Sequence, residues 1–412
     1  MNAQSSTRSG QPASVWLWLT LAAAAIMVVT MGSRQSLGLF LSPLNTATGL
    51  GIASISLAMA VGQFMWGAVQ PVAGALSERY GPAPVLVGGL VVLALGNALT
   101  PFMDSTWGLC LSIGVLTAAG SGAGSFSVLI GAVAQRIPAE RRGMASGIIN
   151  AGGSFGQFIF APILQGLILA VGWMGAMWSL ALVSLAALPL IRVLKPGVPA
   201  AQAAAQTPAP PGGLRAAVRE ALRDRSYLLL HAGFFTCGFH IAFLVTHLPG
   251  EVDLCGLPAT VASWSLAIIG AANIFGSLLA GWWVQRYRSK MVLFWMYASR
   301  AVLVLIYLAA PKTELTFYLF AAGLGFTWLA TVPPTAGVVG KLFGTRYLAT
   351  LFGLTLLSHQ IGGFLGAWLG GIAITELGSY DAMWWIDAGL AAVAALCNLP
   401  IREEKIVRVA TA

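Results

Sequence analysis

Residues 74–86 read GALSERYGPAPVL, and residues 281–293 read GWWVQRYRSKMVL. The two stretches share Gly, Arg-Tyr and Val-Leu at identical spacing, 207 residues apart. A second echo, AMWS at 176–179 and AMWW at 382–385, repeats 206 residues apart. Two echoes at nearly one offset mark the chain as an internal duplication. What is duplicated follows from composition.

The 412 residues are 58% hydrophobic and only 8% charged, against about 25% charged in an ordinary soluble domain. So little polar surface cannot coat a soluble core, which leaves a polytopic membrane protein. The 49 glycines exceed the usual ~7% of residues and suit helices that approach closely in a membrane. Apolar runs near the ~20 residues needed to cross a bilayer fall at 15–41, 52–76, 85–103, 107–133, 143–169, 173–194, 227–250, 258–284, 290–310, 314–340, 348–374 and 382–400. The expected fold is therefore all-α, with twelve transmembrane helices in two pseudo-symmetric six-helix bundles. The expected divisions are a tail at 1–14, a bundle at 15–194, a linker at 195–226, a bundle at 227–400 and a tail at 401–412.

The linker begins KPGVPAAQAAAQTPAPPGG, a flexible Pro/Ala/Gln tract. Leu214 to Asp224 then reads as a short basic amphipathic helix lying on the membrane surface. With the N-terminus inside, only Lys312 of the 22 Lys and Arg falls in an outside loop, and Arg34 and Arg300 fall within spans. The positive-inside rule therefore puts both termini in the cytoplasm. The net charge of +9 is topological, and nucleic acid drops out as a partner. The polar N-terminus runs into a long apolar span with no obvious cleavage site, so the first helix is read as uncleaved. Cys110, Cys237, Cys255 and Cys397 show neither disulfide-framework nor zinc spacing.

Internal duplication about a central loop is the plan of two-bundle secondary transporters, whose site sits at the repeat interface near the midplane. The stretch Gly74-x-Leu-Ser-Glu78-Arg79-Tyr-Gly81 resembles the loop motif between helices two and three of the major facilitator superfamily. The resemblance implies a tightly packed Gly74, a helix-capping acid at Glu78 and an Arg79 that bridges the halves. Arg286 is its echo in the second copy. The chain has Glu78 where the motif commonly has Asp, and Pro82-Ala83 where basic residues are common.

At finer grain, SRQSLGLFLSPL, GWMGAMW and HQIGGFLGAWLGG resemble bacterial relatives of the monocarboxylate porters and oxalate/formate antiporters. One departure stands out. The eukaryotic monocarboxylate porters carry an Asp-x-x-x-Arg pair in helix eight, where GAANIFGSLLAG offers Asn273 and Ser277. The resemblance implies a monomer in a bacterial inner membrane that needs no cofactor. It also implies a cavity lined by helices one, four, seven and ten.

Ionisable groups inside a membrane cost from about 3 to above 10 kcal/mol, so each is a functional candidate. Arg34, on helix one, is the first: its guanidinium can grip a carboxylate through two parallel bonds. The competing reading is an arginine that snorkels to the interface or pairs structurally. By the 207 offset, Arg34 maps next to His240 of helix seven, a candidate for proton exchange or ligand binding. His231 and His247, nearer the inner and outer ends of that helix, are expected to play bland, water-exposed roles. His359, near the middle of helix eleven, is the second imidazole candidate, with Gln360 beside it. The resembled oxalate/formate antiporters place a cation on that helix to hold a carboxylate. His-Gln beside Gly-Gly also suits helix-to-helix hydrogen bonding.

Asp387 and Arg300 lie on peripheral helices twelve and nine and are expected to pair, with a proton-carrying Asp387 as the minor reading. Ser125 on helix four, Trp328 on helix ten and Asn273 on helix eight complete the substrate candidates. Pro333-Pro334 breaks the ladder of helix ten and marks a hinge. No phosphate-binding loop, zinc spacing or hydrolase elbow appears, so an enzyme is not expected and a gradient must drive uphill transport. The expectation is a secondary transporter of small organic anions, moving with protons or against a counter-anion. The alternative is an efflux antiporter for amphipathic compounds, suggested by the aromatics and by a loose Gly/Pro signature around Pro162 in helix five.

Overall fold

The computed structural model describes residues 13–194 and 213–404. Most of the expected linker and the outer parts of both tails, with Arg8, Lys195, Lys405 and Arg408, lie outside the described residues. The spans are α1 (Ala13–Gln35), α2 (Ile52–Tyr80), α3 (Pro82–Leu99), α4 (Thr106–Ala134, in several pieces), α5 and α6 (139–171 and 173–186), α7 (Arg225–Leu254), α8 (Ala259–Arg286), α9 (Ser289–Ala309), α10 (Glu314–Phe343, in two pieces), α11 (Leu348–Leu377) and α12 (Asp381–Asn398). Gly172, at φ 74° and ψ 168°, separates α5 from α6. Gly81, at φ 87°, makes the turn between α2 and α3, and Pro82 then opens α3 with its φ already helical. The surface helix expected at 214–224 forms as Gly213–Ala221. Asp224 then accepts from the backbone N–H groups of Ser226 and Tyr227 at the start of α7.

Among the described residues, nine of these helices are apolar and long enough to span on their own. The other three are α2, α5 and α12. They dilute their apolar content with Gly, Ser, Gln, Asn, Trp or Asp because they pack against other helices. The exposed surface is the inverse of a soluble protein's. Trp18, Trp107, Leu169, Phe275 and Trp295 are all more than 60% exposed, as a lipid-facing belt requires.

Glycine stripes set how closely the helices approach. A Cβ at Gly152 or Gly156 of α5 would collide with carbonyls of α1, and one at Gly362 or Gly366 of α11 would collide with carbonyls of α7. The two halves thus repeat one packing device, small residues four apart on a helix face. Between the halves, α2 crosses α11 and α5 crosses α8.

Both crossings are sealed at the end that carries the termini. A Cβ on Gly74 would strike the Ala349 backbone, and one on Gly143 would lie 2.7 Å from the Gly281 oxygen. Asn150 donates to Ser277 Oγ at 2.7 Å, and Gln135 donates to the Thr345 carbonyl at 3.1 Å. Toward the other end, Gln63 and Val245 are exposed around a cavity. The structure is closed on the terminus side and open on the opposite side.

Candidate functional site: a cationic cavity between the halves

A cavity of about 90 Å³ lies between the halves. Residues of α1, α2, α4, α7, α10 and α11 line it, among them Arg34, Gln35, Gln63, Trp66, Ile241, Trp328, His359 and Gln360. The four helices implied by resemblance are present, joined by α2 and α11 from the sealed crossing.

Arg34 occupies the last turn of α1, where the free carbonyls of a helix end favour a cation. Its guanidinium lies over the Trp66 ring, 4.5 Å from the centroid. It donates to Gln63 Oε1 and, at 3.4 Å, to Gln35 Oε1. No carboxylate lies within ion-pair distance of it among the described residues. Across the cavity, Gln360 donates to the Gln63 carbonyl at 2.8 Å, and its Oε1 lies 3.0 Å from His359 Nδ1. A chain of polar contacts therefore runs from Arg34 through Gln63 and Gln360 to His359, joining the two halves. His359 is buried at the far end of this chain of contacts.

The other candidates lie elsewhere. His240 does not line the cavity. It is fully buried behind the wall, with Nδ1 against Asp387 Oδ2. Ile241, at the full 207 offset from Arg34, lines the cavity instead. One residue along a helix turns about 100°, so the neighbour of a lining position faces away. Asp387 pairs with His240 and not with Arg300, which corrects the expected pairing. Arg300 Nη2 instead donates to the carbonyls of Thr327 and Trp328, at 2.6 and 3.1 Å.

Ser125 is buried at the break in α4, with Oγ 3.8 Å from Met27 Sδ. Asn273 is also buried and outside the cavity. It donates to Ser154 Oγ of the other half and accepts from the Leu329 N–H at 3.0 Å. His231 bonds Ser358 at 2.6 Å and His247 bonds the Ala367 carbonyl at 2.8 Å, so both tie α7 to α11.

At the terminus-side seal the acid, not the arginine, joins the halves. Glu78 accepts from the Thr350 N–H at 2.9 Å and from the Thr350 hydroxyl, capping the start of α11. Arg79 is exposed over Tyr80, and Arg286 is exposed over Trp282. Glu78 lies beyond the apolar run of α2, and burial pushes its carboxyl up from 4.5 to about 7.

Sequence reading missed Gln63, Trp66, Gln70, Asn150 and Cys237. A glutamine or asparagine in an apolar span is itself a signal, because its amide must find partners. Which partners it finds is not written in the span.

The model of the Major Facilitator Superfamily matches residues 23–367, with a second match over 254–411. Monocarboxylate transporter 13 of Bos taurus is 28% identical over 406 residues, covering 95% of this chain and 91% of that one. Monocarboxylate transporter 11 of Mus musculus is 30% identical, covering 92% and 86%. The oxalate:formate antiporter of Oxalobacter formigenes is 26% identical, covering 92% and 89%. Among solved structures, the proton:xylose symporter XylE superposes with a TM-score of 0.75 at 14% identity, over 94% of this chain and 95% of that one. FucP in the outward conformation gives 0.70 at 16% identity, over 93% and 98%. Duplicated bundles, the cavity at their interface and these matches together make the chain a multi-pass membrane transporter that belongs to the major facilitator superfamily.

Proposed function

We propose that the chain carries small organic anions, mono- or dicarboxylates, by alternating access, and that Arg34 holds the carboxylate. The observation that carries this reading is the Arg34 guanidinium, which faces the cavity and, among the described residues, donates only to neutral amides. A cation kept at such cost inside a membrane calls for a compensating charge. A mobile anion supplies it, and the planar fork of the guanidinium matches a carboxylate. Gln63 and Gln360 add amide groups from both halves, so an anion held here would touch both bundles. Aromatic walls at Trp66, Phe126, Phe234 and Trp328 suit a short organic body behind the carboxylate. The names of two groups of relatives, monocarboxylate transporter and oxalate:formate antiporter, support the same class.

The Lys/Arg distribution supports a cytoplasmic position for the sealed end. The cavity then faces outward, and transport requires the α2–α11 and α5–α8 crossings to open. Either a proton or a counter-anion moves with the cycle.

The test is uptake of a radiolabelled carboxylate panel into proteoliposomes, wild type against Arg34→Gln. Saturable uptake in the wild type should fall about ten- to a hundredfold in the variant, as expected for a lost charge-assisted bond of about 1.5–3 kcal/mol. Transport of amphipathic drugs with no carboxylate uptake would overturn the reading in favour of the efflux antiporter.

A further inference from the structure

Behind the cavity wall lies a second ionisable cluster, which the anion site does not use. His240 on α7, Arg300 on α9 and Asp387 on α12 are each fully buried. His240 Nδ1 faces Asp387 Oδ2. Arg300 spends one nitrogen on the Thr327 and Trp328 carbonyls. Among the described residues, four further polar atoms of the cluster have no hydrogen-bond partner: His240 Nε2, Asp387 Oδ1, and Arg300 Nε and Nη1. Buried polar groups in native proteins are nearly always satisfied, and a group left open needs a reason. Four such atoms around one charged cluster indicate a site built to exist in more than one protonation state, not a finished structural ion pair.

The geometry points to this cluster as a proton-binding site, with His240 as the residue that takes the proton, loaded together with the anion. The inference rests on the anion-transport reading. With Asp387 ionised and the imidazole neutral, Nδ1–H faces the carboxylate and the Nε2 lone pair is free. Arg300 and Asp387 then cancel. A proton taken from water adds to Nε2, no bond in the protein breaks, and the cluster gains one positive charge.

That charge lies one side chain from the anion. Trp328, Gly238 and Ile241 line the cavity, and the His240 ring lies 6.3 Å from the Trp328 ring, centroid to centroid. The groups gathered around His240 and its α7 neighbours Phe234 and Cys237 come from four other helices. Asp387 comes from α12, Arg300 and Tyr297 from α9, Trp328 and Thr331 from α10, and His359 from α11. On α7 itself, Cys237 Sγ lies 3.3 Å from Thr331 Oγ1 and 3.7 Å from the Trp328 carbonyl oxygen. A proton on His240 therefore raises affinity for the anion, and by linkage the anion raises affinity for the proton by the same factor.

The experiment follows a carboxylate accepted in the uptake assay, using proteoliposomes in weakly buffered medium. Two readings are taken: medium pH during uptake, and isotope counterflow at equal pH. Wild type should alkalinise the medium as it takes up the anion. His240→Gln and Asp387→Asn should lose alkalinisation and gradient-driven accumulation at least tenfold while counterflow persists at a reduced rate. Asp387→Glu, which keeps a carboxylate, should retain both.

Alkalinisation by His240→Gln at the wild-type level would overturn the proposal. So would loss of counterflow and alkalinisation together in all three variants, because the pair would then be structural. Wild-type counterflow without alkalinisation would sink this proposal and leave the anion reading standing. No carboxylate counterflow at all would sink the transport reading, and this one with it.

Discussion

Two spans of this molecule are broken at corresponding places, and the two halves repair the damage differently. In the N-terminal half, α4 breaks between Ala118–Ala123 and Phe126–Ala134. In the C-terminal half, α10 breaks between Glu314–Thr327 and Val332–Phe343, where Pro333 and Pro334 open the second piece. Each break frees backbone groups that lipid cannot satisfy. In α4 the repair is neutral. Thr30 donates to the Gly124 carbonyl at 3.0 Å, and Gln70 Oε1 accepts from the N–H and hydroxyl of Ser127.

In α10 the repair uses a buried cation. Arg300 takes two carbonyls, Asn150 of the other half takes the Leu329 carbonyl at 2.7 Å, and Asn273 accepts from the Leu329 N–H. A duplicated fold can thus keep its geometry while its halves diverge in charge. The neutral half presents Arg34 to the cavity, and the charged half hides its arginine behind the wall with His240 and Asp387.

The contrast can be broken most sharply at Arg300. Arg300→Gln removes the buried cation that holds the Thr327 and Trp328 carbonyls and strands at least one of them, so the folded protein should lose about 3–5 kcal/mol. Thermal unfolding in detergent would read this as a collapse of the midpoint; an unchanged midpoint would mean that the charge does not hold the break together. At the neutral break, Gln70→Ala leaves the Ser127 N–H without its acceptor and should cost about 1–3 kcal/mol by the same measurement. A loss as large as that at Arg300 would erase the distinction between the halves.

The third and smallest effect sharpens the contrast where the halves meet. Glu78 is the one acid of the described N-terminal half that is not exposed, and burial raises its carboxyl to about 7. Because the sealed state raises this value above that of a hydrated glutamate, the sealed end binds the proton more tightly. The resulting stabilisation is complete below 4.5 and is lost as pH rises through about 7. Terminus-side accessibility of a cysteine label should therefore increase from pH 6 to pH 8. Glu78→Gln should abolish that dependence while changing stability by less than about 1 kcal/mol, since its amide oxygen still accepts from Thr350. A pH dependence that survives the substitution would place the titrating group elsewhere.

A linear chain displays only patterns that run along one dimension. Repeats at a near-constant offset established duplication. Hydropathy over whole spans established twelve helices, because a bilayer selects on average composition and length. Arg34 was singled out because a charge in an apolar run is conspicuous at any rotation. His359 and Gln360 were singled out by their depth in the span.

Tertiary structure decided which way each residue faces and what it meets. The helices here are apolar nearly all round, so no polar stripe reveals their rotation. His240 was placed beside the position equivalent to Arg34, yet a turn of about 100° sends it through the wall to Asp387 while Ile241 faces the cavity. Arg300 and Asp387 were expected to pair because both are charged and peripheral. The break in α10 offered Arg300 two carbonyls that the sequence pattern cannot display as acceptors. Gln63, Asn150 and Cys237 owe their roles to neighbours on other helices, and such partners exist only once the helices have packed.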